Sequence, residues 1–190
     1  LALVGAGVLT MQNALAVILG TNIGSTLTSW IVATLGFKFN IDHVALPLVG
    51  IAGIAMAMFR ARGRMYTWSR FVFGFAALFV GLSYIKDGFA GIVKWVDFSL
   101  FATYPALFFV LIGFVLTSLI QSSAAAVAIA LSALYADAIN FYSATAFVLG
   151  AEVGTTVKLL LASTNGIPAK KRVAFGNLMY NTFVIITVLI

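Results

Sequence analysis

Long stretches of this 190-residue chain carry no charged side chain, among them residues 1–37, 44–59, 71–85 and 98–136. Within them Ala, Leu, Ile, Val and Gly follow one another without the polar–apolar alternation of a barrel strand. Continuous runs of this kind predict helices inside a membrane, because about 20 apolar residues cross the hydrocarbon core. Gly, Pro and polar residues then divide the chain into segments. An apolar segment ends at Leu9, and residues 14–35 form a span about 33 Å long at 1.5 Å per residue. A polar loop at 37–43 leads to spans at 44–59 and 71–85. Residues 86–99, with Lys86, Asp87, Lys94, Trp95 and Asp97, read as an interfacial stretch. An apolar run over 104–135 is interrupted by Gln121, Ser122 and Ser123, and spans follow at 144–162 and 173–190.

Composition supports the same class. Hydrophobic residues make up 63% of the chain and charged residues 8%, whereas soluble domains carry roughly a quarter charged residues. There is too little polar surface to coat a globule. The chain has no cysteine, which excludes thiolate metal sites and thiol catalysis. The net charge of +6 comes largely from Arg60, Arg62, Arg64 and Arg70 and from Lys170, Lys171 and Arg172. Short basic clusters beside apolar spans mark cytoplasmic loops, so no nucleic-acid partner is expected. The partner that composition implies is the lipid bilayer. The chain opens at Leu1 inside an apolar run, with no basic flank, which does not read as a signal peptide. A preceding portion is expected.

The most informative pattern is an internal repeat. Leu19-Gly-Thr-Asn-Ile-Gly-Ser-Thr26 lines up with Leu149-Gly-Ala-Glu-Val-Gly-Thr-Thr156 at an offset of 130 residues, and Ala6, Ala14, Ala16, Thr34 and Gly36 also find their counterparts. At that offset the partner of Gln121-Ser122-Ser123 falls before Leu1, so a second such element is expected there. With both basic clusters in the cytoplasm, residues 104–135 must dip in and return as a re-entrant hairpin. One straight helix would be about 48 Å long and would leave Lys170 outside. The expectation is an all-α membrane protein with inverted-topology repeats, re-entrant hairpins and broken transmembrane helices. Residues 1–59 are the later part of the first repeat, 60–100 a connecting loop, helix and interfacial stretch, and 101–190 the second repeat.

Three elements carry candidate chemistry. Gln121, Ser122 and Ser123 sit at the hairpin turn, where side-chain oxygens and amides can meet an anion or a cation; small residues for close helix packing are the alternative. The segments 20–26 and 150–156 lack the lysine of a phosphate loop. They either pack helices through glycine or break them at mid-membrane, with Asn22, Ser25, Thr26, Thr155 and Thr156 beside the break. Glu152 stands in an apolar run where the first repeat has Asn22, and a carboxylate there should be paired or face a cavity. It reads either as a cation ligand or as the structural partner of Lys158. Asn177 and Asn181 share one face of the last span and can hydrogen-bond the site. The Phe-rich spans read as lipid-facing, and His43 as interfacial. A catalytic serine would want a histidine at similar depth, so no enzyme is expected.

These motifs resemble the type II sodium–phosphate cotransporters of the bacterial branch. Members carry a Gln-Ser-Ser-Ser element followed by Gly-Ala-Asn-Ile-Gly-Thr-Thr. Here these are Gln121-Ser122-Ser123-Ala124 with Gly150-Ala-Glu-Val-Gly-Thr-Thr156, and Gly20-Thr-Asn-Ile-Gly-Ser-Thr26. The tail Lys170-Lys-Arg-Val-Ala-Phe-Gly-Asn-Leu-Met-Tyr-Asn181 is also similar to the family's segment after its second repeat. The resemblance implies a multi-pass symporter of the bacterial plasma membrane that binds inorganic phosphate and sodium where hairpin tips meet broken helices. Gln121, Ser122, Ser123, Asn22, Ser25, Thr26, Glu152, Thr155 and Thr156 become the implied binding residues, with Gln121, Ser122, Ser123, Asn22 and Glu152 as sodium candidates. No cofactor is implied; sodium is the coupling ion, with protons as the alternative. A second copy of the chain or a preceding hairpin would supply the other half of the site. Ala124 and Glu152 depart from the family pattern, so ion stoichiometry does not carry over. Symport of another small oxyanion and a non-transporting regulatory subunit remain the alternative functions.

Overall fold

The computed structural model describes residues 1–38, 42–59, 63–95 and 104–189. All of its regular elements are helical: α1 (Ala2–Gly5), α2 (Met11–Ile31), α3 (Asp42–Met58), α4 (Arg64–Ile92), α5 (Ala106–Ile120), α6 (Ser123–Tyr135), α7 (Phe141–Ser163) and α8 (Pro168–Leu189). Helix α2 runs on into a π-helical stretch, Val32–Lys38. Four helices are long and apolar enough to cross a membrane: Met11–Lys38, Arg64–Ile92, Phe141–Ser163 and Pro168–Leu189. The span expected at 44–59 is realised as α3, whose 17 residues include Pro47 and reach only about 26 Å. Helix α4 continues through Lys86 to Ile92, so the first part of the expected interfacial stretch is helical. Arg60, Arg62, Asp97 and Asn40 lie outside the described residues.

The expected hairpin forms at Gln121. That residue closes α5 in the left-handed region (φ 58°, ψ 30°), and Ser122 caps α6 by accepting from the Ala125 amide at 3.2 Å. Phe109 and Val110 of α5 share one buried cluster with Ala126 and Ala130 of α6. A straight continuation through Gln121 would separate them by about 30 Å, so the chain folds back. The arms of 15 and 13 residues are about 22 Å and about 20 Å long, too short to cross a core of about 30 Å.

Both arms pack on α7, and α5 does so most closely. A Cβ on Gly113 would run into the Phe147 carbonyl, one on Gly150 into the Val110 carbonyl, and one on Gly154 would lie 2.7 Å from the Phe114 carbonyl oxygen. Three glycines thus let two backbones touch, the packing device that a lipid solvent favours. A second cluster, Val32, Ala45, Phe79, Leu82 and Ala128, joins the π-helical stretch to α3, α4 and α6. A third, Val4, Ala14 and Val173, holds α1 and α2 against α8. The Phe-rich face of α4 divides: Phe71 is 62% exposed while Phe79 is fully buried.

The sequence repeat is also a backbone repeat. Thr10 caps α2 by accepting from the Asn13 amide, and Asn140 caps α7 by accepting from the Ser143 amide. The turns before the caps share several backbone bonds. Val8 N donates to Leu3 O and Ala138 N to Ala133 O, each at 2.9 Å, and Ala6 N donates to Ala2 O as Ala136 N does to Ser132 O. The left-handed residue of each turn is Gly7 in one and Asp137 in the other. Asp tolerates that conformation better than most residues because its short side chain can bond locally.

The helix breaks expected within 20–26 and 150–156 do not occur. Helices α2 and α7 run straight through both segments. The interruptions fall instead at Gln121–Ser122 and at the π-helical stretch, where a Cβ on Gly36 would collide with Leu82.

Candidate functional site

Helices α2, α7 and α8, with Val127 of α6, line a half-open cavity of about 310 Å³ whose polar lining includes Asn22, Thr26, Ser29, Glu152 and Asn181. Asn22, Thr26 and Ser29 stand at i, i+4 and i+7, so one face of α2 presents all three. Glu152, the repeat counterpart of Asn22, enters from α7. Asn181, 4% exposed, joins the two: its Nδ2 donates to the Glu152 carbonyl oxygen at 3.1 Å, and its Oδ1 accepts from Asn22 Nδ2 at 3.4 Å. The two matched segments therefore meet through a side chain of the last helix.

Most hydroxyls around this cavity already donate to the main chain. Thr26 Oγ1 donates to the Asn22 carbonyl at 3.2 Å and Ser29 Oγ to the Ser25 carbonyl at 3.1 Å. Thr155 Oγ1 donates to the Glu152 carbonyl at 2.6 Å and Thr156 Oγ1 to the Val153 carbonyl at 2.6 Å. This back-bonding is how Ser and Thr sit in a helix without breaking it, and it accounts for the unbroken α2 and α7. A hydroxyl that has given up its hydrogen offers lone pairs only. The serine and threonine hydroxyls of the lining therefore present acceptors, beside one carboxylate.

Glu152 forms no ion pair with Lys158. The two are six residues apart, which puts them about 120° apart around the helix, and Lys158 is exposed. An unpaired carboxylate in apolar surroundings is costly, and a cation beside it removes that cost. The oxygen set suits a hard ion. Glu152 is the one acidic residue of the lining, so the cavity offers a single carboxylate.

The predicted residues divide. Asn22, Thr26 and Glu152 come together in this cavity. Ser25 does not line it and donates to the Thr21 carbonyl; Thr155 is half-buried and Thr156 fully buried. Gln121 is exposed, Ser123 opens α6, and Ser122 borders a separate, largely apolar cavity of about 200 Å³ with Val32, Leu82 and Ala128. One turn before Gln121, Thr117 Oγ1 is fully buried with no hydrogen-bond partner, and so is Asn177 Oδ1 one turn before Asn181. Ser29 and Tyr180 line the cavity and escaped the sequence reading; the seven-residue spacing from Asn22 was the available signal for Ser29.

Four apolar spanning helices, a hairpin with arms too short to span, and an oxygen-lined cavity between repeated segments define a helical membrane protein of the transporter kind. The chain belongs to the Na+/Pi-cotransporter family, whose model matches residues 1–87 and 101–190. It is 30% identical over 192 residues to the uncharacterized protein YqeW of Bacillus subtilis (strain 168), across 98% of this chain and 59% of that protein. The chain thus spans about three-fifths of the length of that relative. No solved structure matches it.

Proposed function

We propose that this chain is part of a sodium-coupled symporter of inorganic phosphate, with the sodium ion in the cavity between α2, α7 and α8. The observation that carries the reading is the meeting of Asn22 and Glu152, equivalent residues of the two repeats, at one acceptor-lined cavity. A site built from both repeats changes shape whenever one repeat moves against the other, which is what alternating access requires. Inverted orientation of the repeats, a plasma-membrane location and phosphate binding near the Gln121–Ser122–Ser123 turn belong to the same reading. That turn suits an anion better than the cavity does, because Gln121 is exposed and its side-chain amide is a donor.

Uptake of labelled phosphate into liposomes containing the protein tests this directly. An inward sodium gradient should drive accumulation, dissipating the gradient should abolish it, and excess sulfate should leave it unchanged. Uptake driven by a proton gradient and indifferent to sodium would assign the other coupling ion. Competition by sulfate would assign another oxyanion, and absence of any uptake would favour a non-transporting subunit.

A further inference from the structure

We propose that Asn181 is the positioning residue of the cation site: it fixes which way the Asn22 amide faces, so that oxygen rather than nitrogen is presented to the ion. The inference rests on the cation site proposed above and adds the group that orients it.

The polarity is set by a main-chain atom. The Glu152 carbonyl oxygen can only accept, so the group 3.1 Å from it must be the Asn181 nitrogen. The oxygen of the same amide is then the atom that meets Asn22, and across that 3.4 Å contact only the Asn22 nitrogen can donate. Rotating either amide by half a turn sets two oxygens or two nitrogens against each other. Asn181 is 4% exposed, so solvent cannot readily replace a lost bond, and an unsatisfied buried polar group costs about 1–3 kcal/mol. Orientation therefore passes from α7 through α8 to α2.

What remains is the Asn22 side-chain oxygen, which has no hydrogen-bond partner among the described residues and belongs to a cavity-lining residue. With the Glu152 carboxylate it supplies oxygen ligands from both repeats. Were Asn22 reversed, the same position would offer an NH2 group, which repels a cation. Asn181 thus decides whether the Asn22 side chain helps or opposes cation binding beside Glu152. The Asn22–Asn181 contact is longer than an ordinary N–H···O bond of 2.7–3.2 Å. A cation on the Asn22 oxygen polarises the amide and strengthens its donation to Asn181, so ion binding draws α2 toward α8.

The test is sodium-dependent thermal unfolding of the purified protein, with choline at constant ionic strength as the blank. A ligand bound only by the folded protein raises its unfolding temperature as the logarithm of one plus the ratio of sodium concentration to Kd, so the sodium concentration at which the rise sets in measures the site. Asn181→Leu should raise that concentration about tenfold, the loss typical when an outer partner of a metal ligand is removed. Adding Asn22→Asp, which presents oxygen in either orientation, should recover most of the loss. Asn181→Ser serves the same comparison should the leucine variant not fold. An Asn181 variant that lowers the unfolding temperature without moving the sodium concentration at which stabilisation sets in would overturn the proposal, as would failure of Asn22→Asp to rescue. Wild-type protein indifferent to sodium would overturn the positioning role together with the cation site. Normal sodium titration without sodium-driven phosphate uptake would remove the symport reading and leave Asn181 in its role.

Discussion

Helices α2 and α7 open with the same turn, carry the same kind of cap and bear the same glycine motif, yet their glycines meet different surroundings. On α7, Gly150 and Gly154 press against the α5 backbone so closely that a Cβ on either would collide with it. On α2, a Cβ on Gly20 or Gly24 would meet nothing within 4 Å. The polar residues between the glycines behave in the opposite way: Asn22 and Glu152 both reach the same cavity. One motif therefore holds two separable functions. Its glycines set how closely a neighbouring helix approaches, and its third position points to the shared site.

The largest effect that separates these functions is on stability. Gly150→Ala drives a methyl group into the Val110 carbonyl and should cost about 3 kcal/mol or more, the upper range for forcing extra volume into a packed interior. Gly20→Ala should be neutral, or stabilising by up to about 1 kcal/mol, since Ala is the better helix former. Thermal unfolding in detergent would show the two side by side. A loss at Gly20 comparable to that at Gly150 would mean that a helix covers α2 as α5 covers α7.

A smaller effect separates stability from transport at the hairpin. Gln121 holds a left-handed conformation that costs an ordinary residue about 1 kcal/mol and glycine far less. Gln121→Gly should raise the unfolding temperature modestly while abolishing phosphate uptake. Retained uptake would remove Gln121 from the substrate site and leave the turn a purely structural device.

Much of this architecture was legible in the residues. The hairpin followed from the length of the 104–135 run and the polar triplet at its centre. The repeat followed from glycines and a threonine in register, and the backbone reproduces it down to the turn at Asp137. The helix breaks were misjudged because Gly, Ser, Thr and Asn are poor helix formers in isolation, while in an apolar medium their hydroxyls bond back to the carbonyls of the same helix. Lys158 looked near Glu152 in sequence, but spacing by six turns it to another face. Ser122 and Glu152, neighbours in the reading by resemblance, border different cavities, and no spacing argument tells which of two cavities a hairpin tip faces. Asn181 was visible as a polar face on the last span, but its link between the repeats requires the packing of α2, α7 and α8.

The central claim is that an oxygen-lined cavity between the repeats holds the coupling cation, with Glu152 supplying its charge. Glu152→Gln keeps the shape of the side chain and removes that charge. The decisive measurement is the sodium dependence of phosphate uptake by this variant beside wild type, in liposomes at saturating phosphate. The account predicts that the half-saturating sodium concentration rises about tenfold, equivalent to about 1.4 kcal/mol of lost cation binding, while the maximal rate at saturating sodium is largely kept. An unchanged sodium dependence would contradict it and place the coupling ion elsewhere in the molecule.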